Sequence, residues 1–337
     1  MKASLFARVL ERAVLISLAS HGLACSGSPT PSPGCMLASP PAEPSCSSSP
    51  FGTFCGGTYA LVGTASACPQ PDAYGYIAQG LCISLCPPTP CNNDAQCQAF
   101  DDASGGHLRC LYFCPSGRRP EGLQRPCSEG GGEVTARHLA HLAYLEAASI
   151  YAFDRLTREL QAHGAPPHLV AASGRAARDE KRHSLVVARL AKRAGGAVPT
   201  AHVEARGVRS LEAIAVENAA EGCVRETFGA AVALTQAARA ADTTVRRAMA
   251  RIARDETRHA ELSWAVAGWL DEKLDSPARQ RVVKAWGDAL RQLEAELSHE
   301  PHPDLVTRLG VPTGHHARSL FDELRRSLWR PPIGKRL

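Results

Sequence analysis

Two long stretches of this chain carry nearly the same seven residues, Ala177-Arg-Asp-Glu-Lys-Arg-His183 and Ala253-Arg-Asp-Glu-Thr-Arg-His259, identical at six of seven positions. In each copy a glutamate and a histidine stand three residues apart: Glu180 with His183, and Glu256 with His259. On a helix that spacing puts both on one face, about one turn apart. A lone glutamate precedes each copy: Glu146 stands 34 residues before Glu180, and Glu221 stands 35 before Glu256. The stretches that begin at these glutamates and end at Phe153 and Phe228 also align. A whole pair of elements is therefore repeated, and the fold must bring the two pairs together.

The text around the repeat is helical. From Glu133 onward it is rich in Ala, Leu, Arg and Glu, with proline held to a few joints. The apolar period predicts four long helices, at about 134–162, 168–193, 210–240, and from an Asp242 cap to about 274. Gly164-Ala-Pro-Pro167 breaks the first from the second, and Gly195-Gly196 ends the second. A long link with Pro199 and Gly207 leads to the third. Short links join antiparallel neighbours, and one long link lets the chain cross the length of a bundle. The expected class is all-α: a four-helix bundle with a long crossover between its second and third helices. Further helices are expected at 276–300 and about 315–329, ahead of a basic tail.

Folding each pair about its joint brings the repeated groups level. Glu146 lies 19 residues before residue 165, with Glu180 and His183 lying 15 and 18 after it. Glu221 lies 20 before residue 241, with Glu256 and His259 lying 15 and 18 after it. The face of Glu146 also carries Leu139, Leu142, Ala143, Ile150 and Phe153, so this carboxylate is expected to be buried. Burial without a partner costs several kcal/mol. Two divalent ions would provide that partner, and oxygen-plus-imidazole ligation suits iron or manganese. The expected ligands are Glu146, Glu180, His183, Glu221, Glu256 and His259.

The third helix offers two more carboxylates. Glu217 lies one turn before Glu221 and is an added ligand or proton carrier in this reading. Glu226 matches the height of the second hairpin but is turned about 140° from Glu221 on an ideal helix. It replaces Glu221 only if the helix is distorted.

The doubled Asp-Glu-x-Arg-His string, with its upstream glutamates, resembles the ferritin-like superfamily in its rubrerythrin-like and di-iron carboxylate branches. The resemblance covers about 133–274. It implies that Asp179 and Asp255 each accept a hydrogen bond from the ligand histidine of the opposite copy, with Arg182 and Arg258 steadying them. It also implies two iron ions, with manganese as the alternative, and reaction with O₂ or peroxide as an oxidase, peroxidase or oxygenase. Metal binding or iron sequestration without turnover, and a metal-free structural bundle, are the other two readings. No Cys-x2-Cys pair occurs, so any electron donor is external.

The first 132 residues differ in kind. Lys2, Arg8 and Arg12 precede an apolar run at 13–20, too short to span a bilayer and patterned as an export signal over 1–24. Gly22-Leu23-Ala24-Cys25 resembles the lipobox of bacterial lipoproteins, which implies lipidation at Cys25 and a membrane anchor in the periplasm or outer membrane. An ordinary cleaved leader is the alternative. Residues 25–132 form a tether and a cysteine-rich region, holding 12 of the chain's 13 cysteines. Few apolar residues are available there for a core, and in an exported chain such a region is stapled by disulfides. Residues 275–337 hold the C-terminal helices and tail. The net charge of +5 is spread over interleaved acidic and basic residues, the pattern of solvated helix faces and not of a nucleic-acid surface.

Overall fold

A computed structural model describes residues 5–19, 45–49, 52–60, 95–102, 105–112, 120–123, 133–297 and 301–331. The chain divides into two units.

The cysteine-rich unit contains a four-stranded antiparallel sheet, a feature the sequence reading did not anticipate. Its strands are β1 (Ser45–Ser49), β2 (Gly52–Ala60), β3 (Ala95–Asp102) and β4 (Gly105–Tyr112), in the order β1-β2-β4-β3. The register sets Cys46 opposite Cys55 and Cys97 opposite Cys110 along the backbone. The disulfide expectation rests on cysteine side chains outside the described residues, as do the lipidation site Cys25 and the end of the leader.

The other unit is helical. Helix α1 (Leu5–Ala19) buries Leu10, Ala13, Val14 and Ser17, while Leu5 and Leu15 stay exposed. Helices α2 (Val134–Ala162) and α3 (Pro167–Arg193) pack along each other as a hairpin. Pro167 opens α3 at a position where its missing N–H costs nothing. The crossover follows. The third long helix comes in three parts: α4 (Leu211–Glu217), a π-helical stretch (Asn218–Glu226) and α5 (Thr227–Arg239). Ser210 caps α4 through the Ala213 amide. Helix α6 (Thr243–Asp271) returns, capped by Asp242, which accepts from the Thr244 and Val245 amides at 2.7 and 3.1 Å. Then come α7 (Ser276–Glu296), a short unforeseen α8 (Pro303–Leu309) and α9 (Gly314–Ser327). Helix α1 packs on α9, α5 and α6, and the Ser17 hydroxyl reaches the His316 carbonyl at 3.4 Å. The segment expected to be a leader is thus docked on the helical unit. Among the described residues no helix is long and apolar enough to cross a membrane.

Two apolar clusters fill the unit. One gathers Phe153, Leu156, Ile214, Val266 and Leu270. The other gathers Leu139, Leu142, Val187, Met249 and Ile252. The repeated Glu and His residues fall between these clusters in sequence on α2, α3 and α6. Each buried Leu or Val in these clusters contributes about 1.5–3 kcal/mol, and this frame positions the polar layer between them.

The crossover is tied down by ion pairs. Arg209 grips Glu159 with its Nε at 2.7 Å and Nη2 at 2.9 Å, and a third nitrogen pairs with Glu217. Arg155 donates to the carbonyls of Glu121 and Glu204 at 3.1 to 3.2 Å. Glu159 is buried and Arg209 largely so, in a region where paired charges hold one register.

Candidate metal centre

Glu146 on α2, Glu180 and His183 on α3, and Glu256 and His259 on α6 converge between the two hairpins. Glu146, Glu180, His183 and Glu256 each offer a ligand atom within 4.8 Å of the others, and so do Glu226, Glu256 and His259. Five of the six expected residues are brought together. On the third helix it is Glu226, and not Glu221, that gathers with Glu256 and His259, for a local reason. Along the π-helical stretch Asn218–Glu226, bonding to i+5 widens the turn, so residues five apart approach one face. Glu226 is thereby turned toward Glu256. Glu221 instead lies 3.7 Å from the Nε of Arg225. Glu217 pairs with Arg209 at the crossover.

Both rings face the cluster through Nδ1. His183 Nδ1 lies 3.1 Å from Glu256, 3.3 Å from Glu146 and 3.7 Å from Glu180. His259 Nδ1 lies 3.1 Å from Glu180 and 3.6 Å from Glu256. Glu180 and Glu256 therefore stand between the rings, whose centroids are 5.9 Å apart. The far nitrogens face the aspartates of the opposite copy: His183 Nε2 lies 3.1 Å from Asp255 and His259 Nε2 lies 3.5 Å from Asp179. Arg182 pairs with Asp179 and lies 3.7 Å from Asp255; Arg258 pairs with Asp255 and lies 3.2 Å from Asp179. The hydrogen bond to Asp255 fixes the plane of the His183 ring and turns its Nδ1 inward, whereas His259 Nε2 faces Asp179 without hydrogen-bond geometry.

The donor set fits a cation pair. Both Nδ1 atoms are buried and make no hydrogen bond of good geometry, although carboxylate oxygens surround them. Buried nitrogens and oxygens packed this closely call for a positive charge between them. Without metal, protons must serve. Burial raises Glu146 well above the usual carboxylate range, and neighbouring Glu180 adds to it. Burial opposes charge on His183, but Asp255, Glu146, Glu180 and Glu256 outweigh it and hold the ring well above the ordinary histidine range. His259 is raised in the same way: burial is overcome first by Glu256, then by Asp179 and Glu180. Burial also opposes charge on Asp179, but His259 and Arg182 hold it below the usual carboxylate range.

A small cavity opens beside this layer. Glu146, Glu180, Glu226 and Glu256 reach it, with Arg225 and Gln236 as further polar groups and Leu142, Met249 and Ile252 among its apolar walls. It borders the Glu226 side and does not include Glu217 or Glu221. Glu226 and the π-helical stretch are what sequence reasoning placed second. The available signal was height: Glu226 and Glu256 are both 15 residues from the joint near 241.

No protein-family model, no curated protein and no solved structure matches the chain.

Proposed function

We propose that this protein holds two metal ions, iron first and manganese as the alternative, and turns over O₂ or peroxide at them. The reading places the helical unit in the ferritin-like superfamily, with its rubrerythrin-like and di-iron carboxylate branches. One observation carries it: two histidines aim Nδ1 at two shared carboxylates, while each leans on the aspartate of the other repeat. Glu146 and His183 would hold one ion, Glu226 and His259 the other, and Glu180 and Glu256 would lie between them. A reduced iron pair there supplies electrons to a bound oxidant. The protein's own groups fix the geometry, keep the layer dry through Phe153 and the flanking clusters, and offer Glu226 and Arg225 at the cavity wall. Any electron donor is external. The same proposal exports the chain and tethers it through Cys25, with a disulfide-stapled region between anchor and bundle. Cleavage before Cys25 would sever the covalent link between α1 and the helices α5, α6 and α9 on which it packs.

The alternative reading, metal storage without turnover, shares the ligands; the cavity beside Glu226 favours turnover of a small oxidant. The test is metal analysis of the full chain, produced in the periplasm with iron and manganese supplied. Wild-type protein should carry two equivalents, and Glu180→Ala and Glu256→Ala should each lose both, because each residue faces both rings. Peroxide consumption that tracks the metal content supports turnover. Wild-type protein without bound metal overturns the reading.

A further inference from the structure

The π-helical stretch is gripped from outside the repeated hairpins. Cys223, at its centre, is fully buried. Its carbonyl accepts from the Trp329 indole Nε1–H at 3.0 Å, across 106 residues of chain. A widened turn pulls carbonyls out of the α ladder, and a buried carbonyl there needs a donor. Trp329 itself is buried and meets Phe321 edge-on, with centroids 5.2 Å apart. Two residues further along the stretch, Arg225 donates through both terminal nitrogens to Glu296 at the end of α7, at 2.8 and 3.0 Å. Gln292 fixes the same carboxylate at 3.0 Å. On the inner side, the Asn218 amide donates to the Ser263 carbonyl at 2.9 Å.

We infer that Trp329 and Glu296 are positioning residues for the metal layer: they hold the π-helical register that turns Glu226, in place of Glu221, toward Glu256. The inference rests on the dinuclear reading above. It gives the C-terminal segment that carries Trp329, and the end of α7, a role at the second hairpin. Neither residue touches the cluster. Both act through the backbone and Arg225, so their loss should fall on the ion that Glu226 serves and spare the ion held by Glu146 and His183.

Trp329→Phe keeps the ring in its pocket and removes only the N–H donor. Trp286→Phe is the control, because the Trp286 indole N–H is buried without a hydrogen-bond partner. The full-length proteins are titrated with Fe(II) under anaerobic conditions, with helix content followed by circular dichroism. Wild type and Trp286→Phe should bind two equivalents. Trp329→Phe and Glu296→Gln should keep the first and bind the second about 10–100-fold more weakly, with unchanged helix content. In a cycle with Glu226→Gln, Trp329→Phe should add no further loss, which a general loss of stability would not reproduce. Two unaltered equivalents in Trp329→Phe, or additive losses in the cycle, overturn the inference and leave the dinuclear site standing. Wild type that takes up no iron removes the site itself.

Discussion

In the first hairpin, the lone glutamate rides on an uninterrupted α-helix: Glu146 stands among Leu142, Leu145 and Ser149 on α2, and no carboxylate-bearing neighbour competes with it. In the second, Glu226 rides on a π-helical stretch that also carries Glu221 and Arg225, all three buried. The two halves are level in the helical unit and place the same side-chain types there. They differ in what holds the carboxylate in place. Glu146 is carried by an unbroken α-helix and stands 3.3 Å from His183. Contacts from Ser263, Glu296 and Trp329 fix the backbone beneath Glu226. The two copies thus place the same side-chain types by different means, and the cavity opens on the side of the second copy.

The largest effect that would break this comparison is an exchange of ligand on the third helix. Glu226→Gln should lose the second metal equivalent, while Glu221→Gln should retain both. Glu221 lies against Arg225, so its replacement should lower stability by about 1–3 kcal/mol without changing the stoichiometry. Metal content after dialysis separates the two outcomes. Loss of metal in Glu221→Gln and its retention in Glu226→Gln would restore the symmetric arrangement that the repeat first implied.

That symmetric arrangement shows what could be read in advance. The two Glu-x-x-His pairs, their common height and the joints at 163–167 and 240–242 follow from spacing, proline and capping, which are local. The reciprocal pairing of Asp179 with His259 and Asp255 with His183 came with the resemblance; in the structure His183 Nε2 meets Asp255 at 3.1 Å, and His259 Nε2 stands 3.5 Å from Asp179 without hydrogen-bond geometry. The choice between Glu221 and Glu226 was not legible. On an ideal helix those residues point apart, and what overrides the ideal geometry comes from Trp329, Glu296 and Ser263, far away in the chain. The four strands among the cysteines were missed for another reason: β1 is only Ser and Cys, and the alternation in β3 (Ala95, Cys97 and Ala99 against Gln96 and Gln98) runs through small residues and cysteines, which read as a stapled loop region. The docking of α1 was missed because an apolar run after basic residues reads equally well as a leader or as a helix with one buried face.

A smaller effect sharpens the comparison through two glycines. Gly222 lies in the π-helical stretch, where an added Cβ would come within 2.6 Å of Ser263 Oγ and 2.7 Å of Asn218 Oδ1. Ser263 Oγ is itself held by the His259 carbonyl at 3.0 Å, so it has little freedom to yield. Gly222→Ala should therefore cost about 1–3 kcal/mol and push the stretch away from α6. Gly174 lies in α3, where the nearest atoms to an added Cβ are the end of Arg178 at 3.8 Å and a Thr157 methyl at 3.9 Å. Gly174→Ala should stabilise by about 0.5–1 kcal/mol, because alanine gives up less backbone freedom on entering a helix. Opposite signs in urea midpoints would place the strain in the second hairpin alone. Equal and harmless substitutions would mean that the close approach at Gly222 does not constrain the stretch.

The smallest effect concerns pH and belongs to the first hairpin. His138 lies on α2, one turn before Leu142, and burial with His141 nearby lowers it from the ordinary value to about 4. Its folded pKa is below its unfolded one, so the unfolded chain binds more protons between about pH 6.5 and 4. Stability from this residue is fully present above pH 6.5 and declines as pH falls toward 4. Because His138 is half-buried, the loss between pH 7 and 5 should be on the order of 1 kcal/mol. His138→Gln carries no titrating ring and should remove that part of the pH dependence, leaving the metal stoichiometry at pH 7 unchanged. Urea midpoints of both proteins at pH 7 and pH 5 check this. A variant that loses as much stability as wild type over that interval would assign the acid sensitivity to other groups, and the apolar end of the first hairpin would then contribute none of it.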